Sequence, residues 1–295
     1  MDSDNTGTII RGVGGFYQVD TGTEMVECRA RGIFRKQNIK PCVGDQVTIE
    51  RTEDTEDVTG VITSIAERKN HFLRPPVSNI DQFIVVCALA DPDPNYIVLD
   101  RFLLAAEREN VDIVICFTKK DIAADAVIEG AKEVYSDVYP LVFLDARDHE
   151  NVKDIIPYLF DKKSALAGPS GAGKSTILNT LRNDSGVKTG AVSEKTGRGR
   201  HTTRHVELFR MEFGGMVFDT PGFTSFDLPD IQPEDLAELY PDLYRYADQC
   251  KFKGCLHDQE PECSVHAAME RGDIHPLRYR SYIEHLELLR SNKKY

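Results

Sequence analysis

Residues 168–175 read Gly-Pro-Ser-Gly-Ala-Gly-Lys-Ser, a complete G-x-x-x-x-G-K-[ST] pattern. The apolar run Ser164-Ala165-Leu166-Ala167 leads into it and Thr176-Ile177-Leu178-Asn179-Thr180-Leu181 follows. Those flanks predict a strand, a tight turn and a helix, the context in which this pattern cradles phosphate. Gly168, Gly171 and Gly173 admit backbone angles closed to residues with a Cβ, so successive N–H groups and the helix N-terminus can surround an anion. Lys174 is expected to neutralise β- and γ-oxygens and Ser175 to ligate Mg²⁺, with Pro169, Ser170, Ala172 and Thr176 completing the nucleotide-binding loop.

The chain has 295 residues, 41% hydrophobic and 28% charged, which suits a folded protein of two or three domains and argues against disorder. The N-terminus lacks a basic segment followed by an apolar stretch, and no run of about 18 apolar residues occurs, so the expectation is a cytoplasmic protein with no membrane association. Thirty-six Lys and Arg against 48 Asp and Glu give a formal charge of −12, so RNA binding would have to use local basic patches.

Residues 1–66 hold five short alternating runs separated by Gly and Pro (7–10, 15–19, 24–30, 45–50 and 60–65), which predicts a small β-barrel of the OB type. Between the third and fourth runs Arg29, Arg31, Arg35, Lys36 and Lys40 surround Phe34, a basic loop suited to tracking an RNA backbone and stacking a base. From Asp81 to Leu228 apolar strands at 83–89, 113–117 and 141–144 alternate with helical segments at 96–109, between 118 and 140, and at 152–160. That alternation predicts an α/β domain with a doubly wound, mainly parallel sheet. The final stretch, with an amphipathic helix from Pro276 onward, reads as a small helical domain. The predicted division is therefore 1–70, 71–228 and 229–295.

Four further segments suit a guanine-nucleotide site once the chain is allowed to begin elsewhere in the usual motif order. Thr118-Lys119-Lys120-Asp121, well ahead of the phosphate loop, is close to N-K-x-D: Asp121 would accept from guanine N1–H and the exocyclic amine, and the Lys119 stem would cover the base. At the end of the next strand, the Ala146 N–H would reach guanine O6. Asp219-Thr220-Pro221-Gly222 supplies D-x-x-G, with Asp219 holding the Mg²⁺ shell through water and the Gly222 N–H meeting the γ-phosphate. The basic, Gly-rich segment 197–205 occupies the place of a switch loop, where Thr202 or Thr203 would ligate Mg²⁺. The usual water-orienting Gln after D-x-x-G is replaced by Phe223, so unaided hydrolysis should be slow; His201 and His205 are the nearby polar candidates, and His201 is taken as catalytic. This order is that of a circularly permuted GTPase binding GTP and GDP.

Seven cysteines occur, and three crowd into Cys250-x₄-Cys255-x-His257-x₅-Cys263. Three thiolates and an imidazole suffice for a closed tetrahedral Zn²⁺ site, which implies a structural role with one ion per chain.

Taken together, the barrel, Thr118 to Asp121, Gly168 to Ser175, His201-Thr202-Thr203, Asp219 to Gly222 and the cysteine cluster resemble the ribosome small subunit-dependent GTPase A family (RsgA/YjeQ). Arg31-Gly32, Arg74-Pro75 and Asn79-Ile80-Asp81-Gln82 are also similar to that family; Asp145 in place of Ser before Ala146 departs from it. The resemblance implies a late assembly factor, acting as a monomer, that docks on the small ribosomal subunit and its 16S rRNA and leaves after ribosome-stimulated GTP hydrolysis. Two other classes compete on the residues alone. A P-loop kinase or ATPase would use adenine and have no need of Asp121, and an RNA-binding module without hydrolysis would not need Lys174, Ser175 and Asp219.

Overall fold

A computed structural model describes residues 5–55, 58–184, 206–220 and 223–292. The chain begins with β1 (Thr6–Val13), β2 (Phe16–Asp20), β3 (Met25–Ala30), α1 (Ile33–Lys36), β4 (Gln46–Thr55) and β5 (Val58–Ile65), then the short pair β6 (His71–Leu73) and β7 (Pro76–Ser78). Strands and helices alternate next: β8 (Gln82–Ala88), α2 (Tyr96–Arg108), β9 (Asp112–Thr118), α3 (Asp125–Tyr135), β10 (Leu141–Leu144), α4 (His149–Val152), α5 (Ile156–Leu159), β11 (Lys163–Ala167) and α6 (Lys174–Asp184). After β12 (Glu207–Arg210) and β13 (Met216–Asp219) the chain is helical, with α7 (Pro241–Ala247), α8 (Ser264–Arg271) and α9 (Pro276–Asn292). The described residues form two compact units.

The first unit draws on Met1–Gln82, Ile155–Leu166 and Leu178–Phe223. Its first five strands close on themselves. β1 pairs antiparallel with β2 and β2 with β3, β3 runs parallel to β5, β5 pairs antiparallel with β4, and β4 returns to β1. Alternate side chains point inward, so Ile9, Val19, Val26, Val47, Ile49 and Ile62 fill the barrel and are almost wholly buried. Fully burying a side chain of this kind stabilises by roughly 1.5–3 kcal/mol, and closure leaves no edge strand to protect. Asp45, fully buried, ties the barrel to the segment after it. Its carboxylate accepts from Arg68 Nε (2.7 Å) and Nη2 (2.8 Å), from Ser78 Oγ (2.6 Å) and from the Cys42 N–H (2.9 Å). Elsewhere in this unit β11 runs parallel to β13 and β12 antiparallel to it.

The basic segment differs from the sequence expectation. Residues 33–36 form a helical turn, and Phe34 is 6% exposed, turned into the protein instead of standing ready to stack a base. An apolar ring in a short helical turn gains more from burial than from exposure to solvent. Among the described residues of the barrel Phe16 is an exposed aromatic, with the Arg29 guanidinium 4.6 Å from its ring centre. Arg31 is paired with Glu50 Oε2 at 2.5 Å.

The second unit draws on Phe83–Asp154, Ala167–Ile177 and Thr224–Tyr295. From Phe83 on, every residue of β8 is buried, as is every residue of β9 except Asp112. β10 runs parallel to β9, and unbroken apolar runs of this kind belong to parallel strands covered on both faces. Asn95 caps α2, accepting from the Val98 N–H at 3.1 Å, and the helix buries Leu99, Phe102, Leu103, Leu104 and Ala106. The single helix expected over 152–160 is broken into α4, a 3₁₀ turn (Lys153–Ile155) and α5, because Pro157 has no N–H and is accommodated only in a first turn. The C-terminal helices close over Leu236, Tyr240, Leu243, Val265, Tyr282 and Leu286.

Beneath those helices lies an ion triad. Arg278, 1% exposed, donates from Nε and Nη2 to the two oxygens of Asp242 (3.0 and 2.9 Å) and from Nη1 to Asp100 of α2. Tyr240 stacks 4.7 Å from the guanidinium, and Tyr135 donates its hydroxyl to Asp100 at 2.9 Å. Burial raises the Asp100 pKa and Arg278 opposes that rise.

Candidate functional site

The strand β11 delivers the chain into residues 168–173, and α6 begins at Lys174. Gly168 has φ +140°, and a Cβ there would lie 2.1 Å from the Val86 carbonyl oxygen, so the loop packs against the β8 backbone as only glycine permits. Gly171 and Gly173 also take positive φ, at +79° and +97°. The Lys174 ammonium folds back over the loop and donates to the carbonyls of Gly168 (2.6 Å) and Pro169 (2.7 Å). Burial lowers its pKa to about 8, outweighing the carbonyls that favour the charged form. With the helix N-terminus behind it, this turn can hold an oligophosphate.

Thr118 ends β9 fully buried, and Lys119 turns the chain with φ +60°. Its ammonium donates to the Asp91 carbonyl, while the Lys120 N–H donates to Leu144 O at 3.2 Å, fastening the turn to the end of β10. The next turn is held by Asp145, whose carboxylate accepts from the Arg147 N–H at 2.9 Å. Asp145 thereby does by an Asx turn what a serine could do there, which accounts for the departure at that position. Asp121 and Ala146 line one cavity of about 130 Å³ together with Thr118, Gly171, Gly173 and Thr176. The base-reading residues expected from sequence and the phosphate loop therefore meet. The direct link is Thr118 Oγ1, which donates to the Ala172 carbonyl at 2.6 Å.

In the first unit Asp219 ends β13 with Arg182 Nη1 at 3.7 Å from its carboxylate; burial raises its pKa and Arg182 opposes that. Phe223 is fully buried and meets Phe72 edge to face at 5.7 Å, so its ring serves packing. Gly222, His201, Thr202, Thr203 and His205 lie outside the described residues.

The cysteine cluster converges in the second unit. The ligand atoms of Cys250, Cys255, His257 and Cys263 all lie within 4.8 Å of one another. Cys250 Sγ and Cys263 Sγ are each 3.5 Å from His257 Nδ1 and 3.9 Å from each other. A tetrahedral zinc centre with its usual bond lengths requires about 3.6 Å between sulfur and nitrogen and about 3.8 Å between sulfurs, so the residues fit that ion. Sequence reasoning did not reach the groups that shape this turn. Glu260 accepts from the N–H groups of Leu256 (2.8 Å) and Asp258 (2.9 Å), Tyr282 donates to Leu256 O (2.8 Å) and Tyr279 to His257 O (2.8 Å). The two tyrosines belong to the helical pattern of α9, and their hydroxyls carry no mark in sequence of the turn they reach.

Comparison with known proteins adds to this geometry. The RsgA N-terminal domain matches residues 6–62 and the RsgA GTPase matches residues 65–229. The chain belongs to the RsgA GTPase family. Over 97% of its length it is 40% identical to the small ribosomal subunit biogenesis GTPase RsgA of Bacillus subtilis, covering 98% of that protein. RsgA 2 of Listeria innocua is 44% identical, with 97% of this chain and 98% of that one covered. Among solved structures, YjeQ from Thermotoga maritima superposes with a TM-score of 0.82 at 34% identity, covering 97% and 98% of the two chains. The circularly permuted GTPase YloQ superposes with 0.83 at 36% identity, covering 99% and 96%. The barrel and the permuted GTPase fold are thus those of an RsgA-type GTPase.

Proposed function

We propose that this protein hydrolyses GTP to drive its release from the small ribosomal subunit late in that subunit's assembly. The observation that carries the nucleotide reading is the shared cavity, which Asp121 and Ala146 line together with Gly171 and Gly173, with Thr118 bonded to the loop. The subunit follows from the relatives aligned over nearly the whole chain, which are small ribosomal subunit biogenesis GTPases. In this reading the chain is divided into a barrel at 1–70, a GTPase domain at 71–228 and a helical domain at 229–295.

In this reading Gly168 to Thr176 wrap the phosphates, with Lys174 balancing their charge. Asp121 accepts the two guanine donors under the Lys119 stem, Ala146 N–H meets O6, and Lys120 serves through its backbone. Ser175 and the Asp219 carboxylate would hold Mg²⁺, joined by Thr202 or Thr203, and Gly222 would reach the γ-phosphate; the bound ion neutralises charge developing on the phosphoryl oxygens. His201 orients water when the protein is bound to the small subunit and its 16S rRNA, since Phe223 supplies no polar group. Cys250, Cys255, His257 and Cys263 would hold one structural Zn²⁺. The protein acts as a cytoplasmic monomer with no membrane partner; among the described residues no helix is long and apolar enough to cross one.

The nucleotide assignment is checked by exchanging the specificity group. A carboxylate pairs with the two donors of guanine, whereas the amide of Asp121→Asn pairs with the donor and acceptor of xanthine. The wild type should prefer GDP to XDP, and Asp121→Asn should lose roughly ten- to a hundredfold in GDP affinity, gain XDP and reverse the order. Unchanged preference in titration calorimetry would overturn the base assignment.

A further inference from the structure

Thr118 stands where the guanine-reading pattern carries an amide side chain, and its hydrogen bonding restricts what it can recognise. A hydroxyl has one proton to donate, while a carboxamide has two. Thr118 Oγ1 donates that proton to the Ala172 carbonyl at 2.6 Å, in a fully buried position. Toward a ligand it therefore offers only lone pairs. Resting on the guanine assignment above, the purine's orientation follows: N1–H and the exocyclic amine meet Asp121, O6 meets Ala146, and N9 leads through the ribose to the phosphate loop. N7 lies on the ring edge between O6 and N9, on the side leading from Ala146 toward the loop, and the cavity lining there draws on Thr118 and Gly173 among its residues. N7 is an acceptor, Gly173 has no side chain, and the Lys119 ammonium is turned to the Asp91 carbonyl.

We infer that this site reads guanine at N1, the exocyclic amine and O6 and leaves N7 unread, because Thr118 devotes its one proton to joining the base-reading strand to the phosphate loop. Its ligand class accordingly includes guanine nucleotides altered at N7. Thr118→Asn restores a second proton, one for Ala172 and one for N7, and creates a discrimination that the wild type lacks.

The test is calorimetric titration of the full-length protein with GDP, 7-deaza-GDP (carbon in place of N7) and ADP. The wild type should bind GDP and 7-deaza-GDP within about twofold of each other, while Thr118→Asn should favour GDP by roughly fivefold, the worth of one net hydrogen bond. A fivefold loss for 7-deaza-GDP in the wild type overturns the inference, whether or not the variant folds. Parity in both proteins overturns the role given to Thr118. Both results leave the guanine assignment intact so long as GDP outcompetes ADP; if ADP binds as well as GDP, that assignment fails and this inference with it.

Discussion

Lys174 shows how one side chain links burial, charge and ligand. Enclosed by the loop it serves, it keeps its proton less firmly than a free lysine, with a pKa lowered to about 8 by burial. An oligophosphate at the loop favours the ammonium and raises that pKa again. Above pH about 8 the free site is therefore largely neutral and must take up a proton to bind, so GDP affinity should fall as pH rises through that value, approaching tenfold per unit. Calorimetry at pH 8.5 in buffers of different ionisation enthalpy measures that uptake directly. No proton uptake would mean that Lys174 is charged in the free protein. The residue scale was well marked in sequence where backbone chemistry is strict: the glycines of the loop and the cysteine spacing point to one geometry each. Phe34 was misread because a ring among basic residues carries no sign of which way it faces.

At the scale of elements, the strands of both units were legible because their periods differ, alternating in the barrel and continuously apolar in β8 and β9. The interruption between α4 and α5 is hidden in sequence because Val152, Ile155, Ile156 and Leu159 keep a helical spacing across Pro157. The triad joining α2, α7 and α9 was invisible, since Asp100, Asp242 and Arg278 lie far apart in the chain and each resembles an ordinary surface charge. Its energetics differ from those of a surface pair. All three groups are buried, so Arg278→Met would strand two carboxylates without their counter-charge and should destabilise by about 3–5 kcal/mol. Adding Asp100→Asn and Asp242→Asn to that variant should recover much of the loss, because neutral amides tolerate burial better than uncompensated charge. Urea unfolding checks both statements. A loss below about 1 kcal/mol for Arg278→Met, comparable to an exposed pair, would show that the triad contributes no more than a surface contact.

For the whole molecule, the informative sequence property was motif order. Thr118 to Asp121 precede the phosphate loop in the chain, yet the fold returns them to one cavity, as a parallel sheet allows when its strands are visited in a different order. Charge told less. A net −12 obscures a barrel segment carrying Arg29, Arg35, Lys36 and Lys40, and the pairing of Arg31 with Glu50 emerges only from the structure. The division of labour proposed here is a nucleotide site whose cavity brings Asp121 and Ala146 together with Gly171 and Gly173, a buried Phe223 that contributes no water-orienting atom, and acceleration by the small ribosomal subunit. The decisive measurement is steady-state GTP turnover by the purified protein alone, with saturating small ribosomal subunits, and with large subunits. The account predicts slow turnover alone, strong acceleration by small subunits, with roughly 10³–10⁵-fold as the upper guide from partner-activated GTPases, and none by large subunits. Equal turnover in all three, or acceleration by large subunits only, would contradict it.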